Sequence, residues 1–256
     1  EGTRGAVMCF LSFARFKIGG KFARRSFLYN TKINFSDLKP TVPLDYQVAL
    51  ISKLGVPFEN PQPIIHVSNE WRKSAHDLLT SKNFDPEKPY CIIHPGARKY
   101  DQWQFEKFAR IAEYFFTRFN LGIILTCGPG EFGQVEKLIQ CLSKKVPYTF
   151  ISTDLSTLLG ITASAKFVVC HNGGYMHATS AIGIPVAALF GLTDYRIWKP
   201  LGEKSVVLHK DIDCWPCTSK TMKQDCWDGK PECKELISAE DVVNSIKKLC
   251  PEFSDK

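Results

Sequence analysis

The run Lys166-Phe167-Val168-Val169-Cys170-His171-Asn172-Gly173-Gly174-Tyr175-Met176-His177-Ala178 passes from unbroken apolar residues into paired glycines and then into a helix-compatible stretch closing near Gly183. A strand that is apolar without alternation is one buried on both faces, as in a parallel sheet with helices on either side. The glycines then let the chain turn tightly into a helix whose first N–H groups have no partner within the helix. Such a start favours an anion. His177, one turn in, can donate to the same anion or to a sugar hydroxyl, although a histidine satisfied inside the core fits the spacing equally.

The same grammar recurs through the second part of the chain. Residues 90–94, 121–127, 148–152, 166–171, 185–190 and 205–209 are short apolar runs, each leading through a Gly, Pro, Asn or Asp turn. Helix-period stretches alternate with them, which predicts an α/β fold of βαβ units, a parallel sheet with helices on both faces. The best helix covers 103–119, where Phe105, Phe108, Ile111, Ala112, Phe115, Phe116 and Phe119 recur at three- and four-residue steps. Asp101 and Gln104 read as its capping box. Further helices fit 132–143, 155–163, 175–182 and 239–249, the last capped by Ser238 with Asp241.

Residues 1–85 break this pattern with Gly19-Gly20, several prolines and a basic run at 21–25, and only 46–54 reads as a firm helix. Asp85-Pro86-Glu87 and Pro89 form a stiff polar joint. A domain boundary is expected there, giving domains 1–85 and 86–256.

A chain of 256 residues with 44% hydrophobic and 23% charged residues buries a sizeable core and is neither disordered nor a coiled coil. Its apolar stretches fall short of the roughly 18 to 20 residues that cross a bilayer. The net charge of +7 suits an anionic partner such as a nucleotide, a phosphorylated glycan or a membrane surface. It is also common in plain soluble proteins. The chain opens on Glu1 with no basic and apolar leader, and reads as a fragment without a secretion signal.

In open α/β sheets ligands gather beyond the carboxyl ends of the strands. Three loops stand there. His94-Pro95-Gly96-Ala97-Arg98-Lys99 offers small residues for close backbone approach and two cations for phosphate, or is an ordinary basic turn. Gly128-Pro129-Gly130-Glu131 offers an acid for ribose hydroxyls, or an acid that merely suits a helix start. The third is the 170–178 run itself.

Taken in order, His94-Pro95-Gly96-Ala97, Trp103, Gly128-Pro129-Gly130-Glu131, the 165–177 run, Ala181-Ile182-Gly183-Ile184-Pro185 and Ala188-Leu189-Phe190-Gly191-Leu192-Thr193-Asp194 resemble the C-terminal half of glycosyltransferase family 9. These are the ADP-heptose:lipopolysaccharide heptosyltransferases. The resemblance covers residues 89–250 and implies the GT-B architecture, two Rossmann-like domains with the nucleotide sugar held mainly by the second. Residues 1–85 would then be part of an acceptor-side domain, and the family's catalytic aspartate would precede Glu1.

Carried over by position, the resemblance places Glu131 on the ribose and Thr153, Asp154 and Leu155 around the adenine. It lines the diphosphate with Gly96, Ala97, Gly173 and Gly174, and sets Met176 and His177 beside the sugar. Two departures stand out. Asn172-Gly173-Gly174 replaces the family's Asp-Thr-Gly, and Asp101 stands where many members have a phosphate-binding lysine, leaving Arg98 and Lys99 to supply that charge. The implied partners are an ADP-sugar and a lipid-linked glycan, without nucleic acid. The implied location is cytoplasmic, peripheral at the anionic inner face of the inner membrane.

Ten cysteines remain to be placed. Cys9, Cys91, Cys127, Cys141, Cys170 and Cys250 read as small buried hydrophobes. Cys214, Cys217, Cys226 and Cys233 crowd together, and the two-residue gap of the first pair suits a metal knuckle. A structural zinc, a disulfide and reduced structural thiols all fit them. No cofactor is implied for catalysis. The readings that compete with heptosyl transfer are a transferase using another nucleotide sugar, a non-catalytic nucleotide- or glycan-binding relic, and a zinc-stabilised interaction module.

Overall fold

The computed structural model describes residues 3–34, 43–57, 62–215, 217 and 222–254. The chain divides into two compact units, Glu1–Pro61 with Arg196–Trp198, and Gln62–Tyr195 with Lys199–Lys256.

The smaller unit holds helix α1 (Thr3–Leu11), strands β1 (Ile18–Gly20) and β2 (Thr31–Ile33), and helix α2 (Pro43–Ser52). The two strands pair in parallel, Ile18 opposite Thr31. Ala6, Ala23 and Tyr29 make its small core. The helix expected at 46–54 is α2, begun earlier because proline's fixed φ suits a first helical turn.

The larger unit carries strands β3 (Tyr90–His94), β4 (Gly122–Thr126), β5 (Thr149–Ile151), β6 (Val168–His171), β7 (Val186–Leu189) and β8 (Ser205–Leu208). Its longer helices are α3 (Asn69–Ser81), α4 (Phe105–Phe119), α5 (Phe132–Cys141), α6 (Leu155–Thr162) and α7 (Gly174–Ile182). The four-residue α8 (Tyr195–Trp198) belongs from Arg196 onward to the smaller unit, and the larger one continues with α9 (Gln224–Trp227), α10 (Glu232–Glu235) and α11 (Ala239–Leu249). The six strands form one parallel sheet in the order β5-β4-β3-β6-β7-β8.

Successive side chains of each strand point to opposite faces, so the continuous apolar runs feed two cores. Cys91, Ile93, Ile123, Leu125 and Val169 meet Phe108, Ile111, Phe115, Leu138 and Ile246 from α4, α5 and α11. Tyr90, Ile92, Ile124, Val168 and Cys170 meet Ala75, Leu79, Ile161 and Met176 from α3, α6 and α7. Helices on both faces follow directly.

Two expectations change. The units separate after Pro61 rather than at residue 85, because α3, capped by Ser68, buries Ala75 and Leu79 in the sheet's own core. The capping box expected from Asp101 and Gln104 is absent: α4 starts at Phe105, Gln104 makes no side-chain cap, and Asp101 is buried beside Lys234. The capping box of Ser238 and Asp241 on α11 is present in both directions. Among the described residues no helix is long and apolar enough to cross a membrane.

The strand order fixes where a ligand fits. From β3 the chain runs outward through β4 and β5, then returns to place β6 on the other side of β3. Loops at the carboxyl ends of β3 and β6 therefore leave in opposite directions and open a crevice between them.

Candidate functional site

A cleft of about 780 Å³ occupies that crevice. Gly96, Ala97, Arg98, Glu131, Thr153, Asp154, Leu155, Asn172, Gly173 and Gly174 line it, together with His94, Asp101, His171 and Tyr175. The four βα turns thus converge on one space, each delivered by the end of a different strand.

The first turn is built around a carboxylate. Glu131 Oε2 accepts the Gly128 amide at 2.8 Å and lies 3.6 Å from His94 Nε2. A Cβ on Gly96 would overlap that carboxyl group, so any larger residue there would displace Glu131. His94 Nδ1 sits 2.9 Å from the Thr126 hydroxyl, and burial lowers the imidazole pKa to about 4. The ring is therefore neutral near pH 7, and the tautomer with its proton on Nε2 serves both neighbours. Tyr175 closes the floor, its ring centroid 4.7 Å from that of His94.

Ala97 lines the cleft, yet its amide is already taken. It donates to Gln134 Oε1 at 2.9 Å while Gln134 Nε2 donates to the Ala97 carbonyl at 2.8 Å. This pair of bonds splints the turn to α5. Sequence reasoning misses Gln134 as a support of the site; the available signal is its place one turn beyond Glu131 on the same helix. Arg98 is exposed, its guanidinium 5.0 Å from the Tyr100 ring centroid.

The turn after β6 leaves donors free. Gly173, in extended backbone, is the N-cap of α7 and offers no side-chain acceptor to the helix's first amides. Space around Gly173 and Gly174 is open. Asn172 Oδ1 is buried and has no hydrogen-bond partner among the described residues.

The turn after β5 is different, because the Asp154 carboxylate is committed to its own helix. It accepts the Thr157 amide at 3.0 Å, the Thr157 hydroxyl at 2.8 Å and the Ser156 hydroxyl. The Ser156 hydroxyl, with the Thr157 groups, holds this carboxyl well below the usual carboxylate range. Asp154 caps α6 and shapes the wall. Leu155, 64% exposed, presents an apolar surface there.

Three residues singled out from the sequence lie outside the cleft lining. Lys99 is exposed beyond Arg98, His177 is exposed on α7, and Met176 turns into the core between sheet and helix with no exposure. Helical geometry explains the last two, since Gly174, Tyr175 and Ala178 share the face of α7 that lines the cleft while Met176 and His177 point away from it.

All ten cysteines are free thiols in the structure. Cys91, Cys127, Cys170 and Cys250 are buried as expected, while Cys9 and Cys141 are half-buried. In the tail, Cys226 and Cys233 are buried and Cys214 and Cys217 partly so. The Cys217 thiol donates to the Cys214 carbonyl, 3.5 Å away. Burial, then the neighbouring cysteines, push Cys217 up to about 12. Among the described residues no three His, Cys, Asp or Glu side chains are grouped to hold a metal ion, so the zinc knuckle read from the spacing is not assembled.

The sequence profile of glycosyltransferase family 9 (heptosyltransferase) matches residues 3–228. The chain belongs to this family. The class of reaction is therefore glycosyl transfer. Lipopolysaccharide heptosyltransferase 3 of Escherichia coli strain K12 is 25% identical over 248 residues, covering 93% of this chain and 69% of that protein. The structure of E. coli ADP-heptose lipopolysaccharide heptosyltransferase II superposes with a TM-score of 0.78 at 16% identity, covering 96% of this chain and 73% of that one. The structure of E. coli heptosyltransferase WaaC with ADP gives 0.61 at 19% identity, covering 90% and 61%. These likenesses show that the parallel sheet and its helices have the GT-B heptosyltransferase form.

Proposed function

We propose that the chain moves a heptose-type sugar from an ADP-sugar to a lipopolysaccharide core acceptor, with inversion at the anomeric carbon. The observation carrying this reading is the convergence of the Gly96, Glu131 and Gly173 turns on one cleft at the strand ends. The structure of E. coli heptosyltransferase WaaC with ADP supports the choice of nucleotide.

In this reading Glu131, anchored by the Gly128 amide, takes the ribose hydroxyls, and Thr153 and Leu155 flank the adenine. The first amides of α7, with Arg98, face the diphosphate. Charge accumulates on that leaving group as the glycosidic bond breaks, and donors already fixed in place stabilise it without reorganising. Inversion needs one displacement and no enzyme nucleophile. The acceptor hydroxyl must lose a proton. His94 and His171 are buried and held below the usual histidine range by that burial, with both rings engaged by neighbours. They shape the floor rather than take that proton.

The location in this reading is the cytoplasmic face of the inner membrane, held peripherally. Residues 3–34 carry Arg4, Arg15, Lys17, Lys21, Arg24, Arg25 and Lys32 without one acidic residue, and Phe13 and Phe16 are exposed among them. Basic and aromatic side chains together suit an anionic lipid surface.

Asn172 favours a second reading. An amide both donates and accepts where a carboxylate only accepts, so its unpartnered Oδ1 fits a different hydroxyl pattern and another nucleotide sugar. Turnover assays with ADP-, UDP- and GDP-sugars and a lipopolysaccharide core acceptor decide between them. Release of ADP from ADP-heptose is expected; release of UDP or GDP alone selects the second reading, and nucleotide binding without turnover selects a non-catalytic one.

A further inference from the structure

Lys234 in α10 has no exposed surface, and an ammonium so placed is costly unless partners surround it. Three acceptors do. Its Nζ lies 2.6 Å from the Asp101 carbonyl, 3.0 Å from Asp101 Oδ1 and 2.7 Å from His171 Nδ1. Asp101 and His171 both line the cleft. A buried carboxylate at this floor, left alone, would repel an incoming diphosphate.

The approach of Lys234 is built into the fold. Gly191, just beyond β7, leaves the passage open, since a Cβ there would sit 2.8 Å from both Asp101 Oδ1 and Lys234 Cε. The segment carrying the lysine is fastened to the start of α4: Trp103 Nε1 donates to the Ile237 carbonyl at 3.1 Å, and Lys107 Nζ donates to the Glu235 and Ile237 carbonyls at 2.6 and 2.8 Å. Residues far apart in sequence are thereby held as one surface beneath the cleft.

We infer that Lys234 is a positioning residue of the donor site: its ammonium cancels the Asp101 charge beside the diphosphate and thereby makes the cysteine-bearing tail a working part of that site. The inference rests on the reading of the cleft as a nucleoside diphosphate site. It acts through Asp101 and the electrostatics of the floor, because Lys234 itself is sealed from the cleft. The effect must then follow the ligand's phosphate charge and the sign of the residue removed.

The test is a binding comparison of ADP with adenosine on the full chain and on K234M, D101N and the double variant. K234M is expected to weaken ADP roughly tenfold and leave adenosine unchanged. D101N, which leaves the ammonium uncompensated, binds ADP more tightly than the unaltered chain, and the double variant returns to the unaltered affinity. A lysine with a merely structural role would make K234M weaken both ligands without recovery in the double variant, and that result overturns the inference. Should K234M not fold, D101N must bind ADP more tightly than the double variant while adenosine binds both equally; equal ADP affinities overturn it. ADP that fails to bind the unaltered chain removes the donor-site reading itself, whereas ADP that binds the unaltered chain and K234M equally removes the role of Lys234 alone.

Discussion

Gly96 and Gly173 are both glycines at strand ends, but the structure gives them opposite consequences. A methyl group on Gly96 meets the half-buried Glu131 carboxylate, so Gly96→Ala pushes that group off the Gly128 amide and should cost about 1 kcal/mol of stability. A methyl group on Gly173 meets nothing within 4 Å and its extended backbone accepts alanine, so Gly173→Ala should leave stability within about 0.5 kcal/mol while weakening ADP binding. Urea unfolding and nucleotide titration of the two variants check the contrast; equal stability losses would contradict it. His94 makes a pH prediction. Its pKa is about 4 folded and about 6.5 unfolded, so between these values the unfolded chain binds more protons. Stability is complete above about pH 6.5 and falls as pH drops toward 4, by about 3 kcal/mol from this residue. Burial lowers His171 in the same direction, adding to the slope. His94→Gln should flatten the dependence of unfolding free energy on pH over that window, and an unchanged slope would refute the assignment.

Elements differ in how far their neighbours in sequence determine them. Strand β3 and helix α11 fall where the apolar pattern and the Ser238 cap place them, because the signals are local. Ser238→Ala should accordingly cost about 1 kcal/mol in thermal unfolding, the usual loss of a cap. Helix α3 escapes a reading of the sequence although Trp71, Ala75, Leu78 and Leu79 lie at helical spacing behind Ser68, because the joint at 85–89 draws the boundary past it. The turns bearing the site are legible from their glycines, whereas their supports are not. Gln134 splints Ala97 across 37 positions, and Lys234 reaches Asp101 across 133, distances at which spacing carries no signal. Asp101 misleads for the same reason: its capping role is a local inference and its partner lies in the tail. Gln134→Ala removes both bonds to Ala97 from a part-buried position. It should weaken ADP binding roughly threefold to tenfold with less than about 1 kcal/mol lost from folding, since freeing the turn costs the ligand its preorganisation. Loss of stability with unchanged affinity would make the splint purely structural.

At the scale of the whole molecule, one switch in strand order accounts for the site. With β6 returning beside β3, the turns after β3, β4, β5 and β6 face one another across a single cleft, and α7 brings uncapped amides to its edge. The tail that follows β8 then closes beneath that edge through Trp103, Lys107 and Lys234. Membership of glycosyltransferase family 9 gives the class of reaction, and the proposed donor site sets the free amides of this cleft against the leaving nucleotide. Hydrogen–deuterium exchange of the chain with and without saturating ADP tests this most directly. Protection confined to residues 94–98, 128–131, 153–155 and 172–176 is the predicted result, while an unchanged pattern there, or protection only elsewhere, would contradict it.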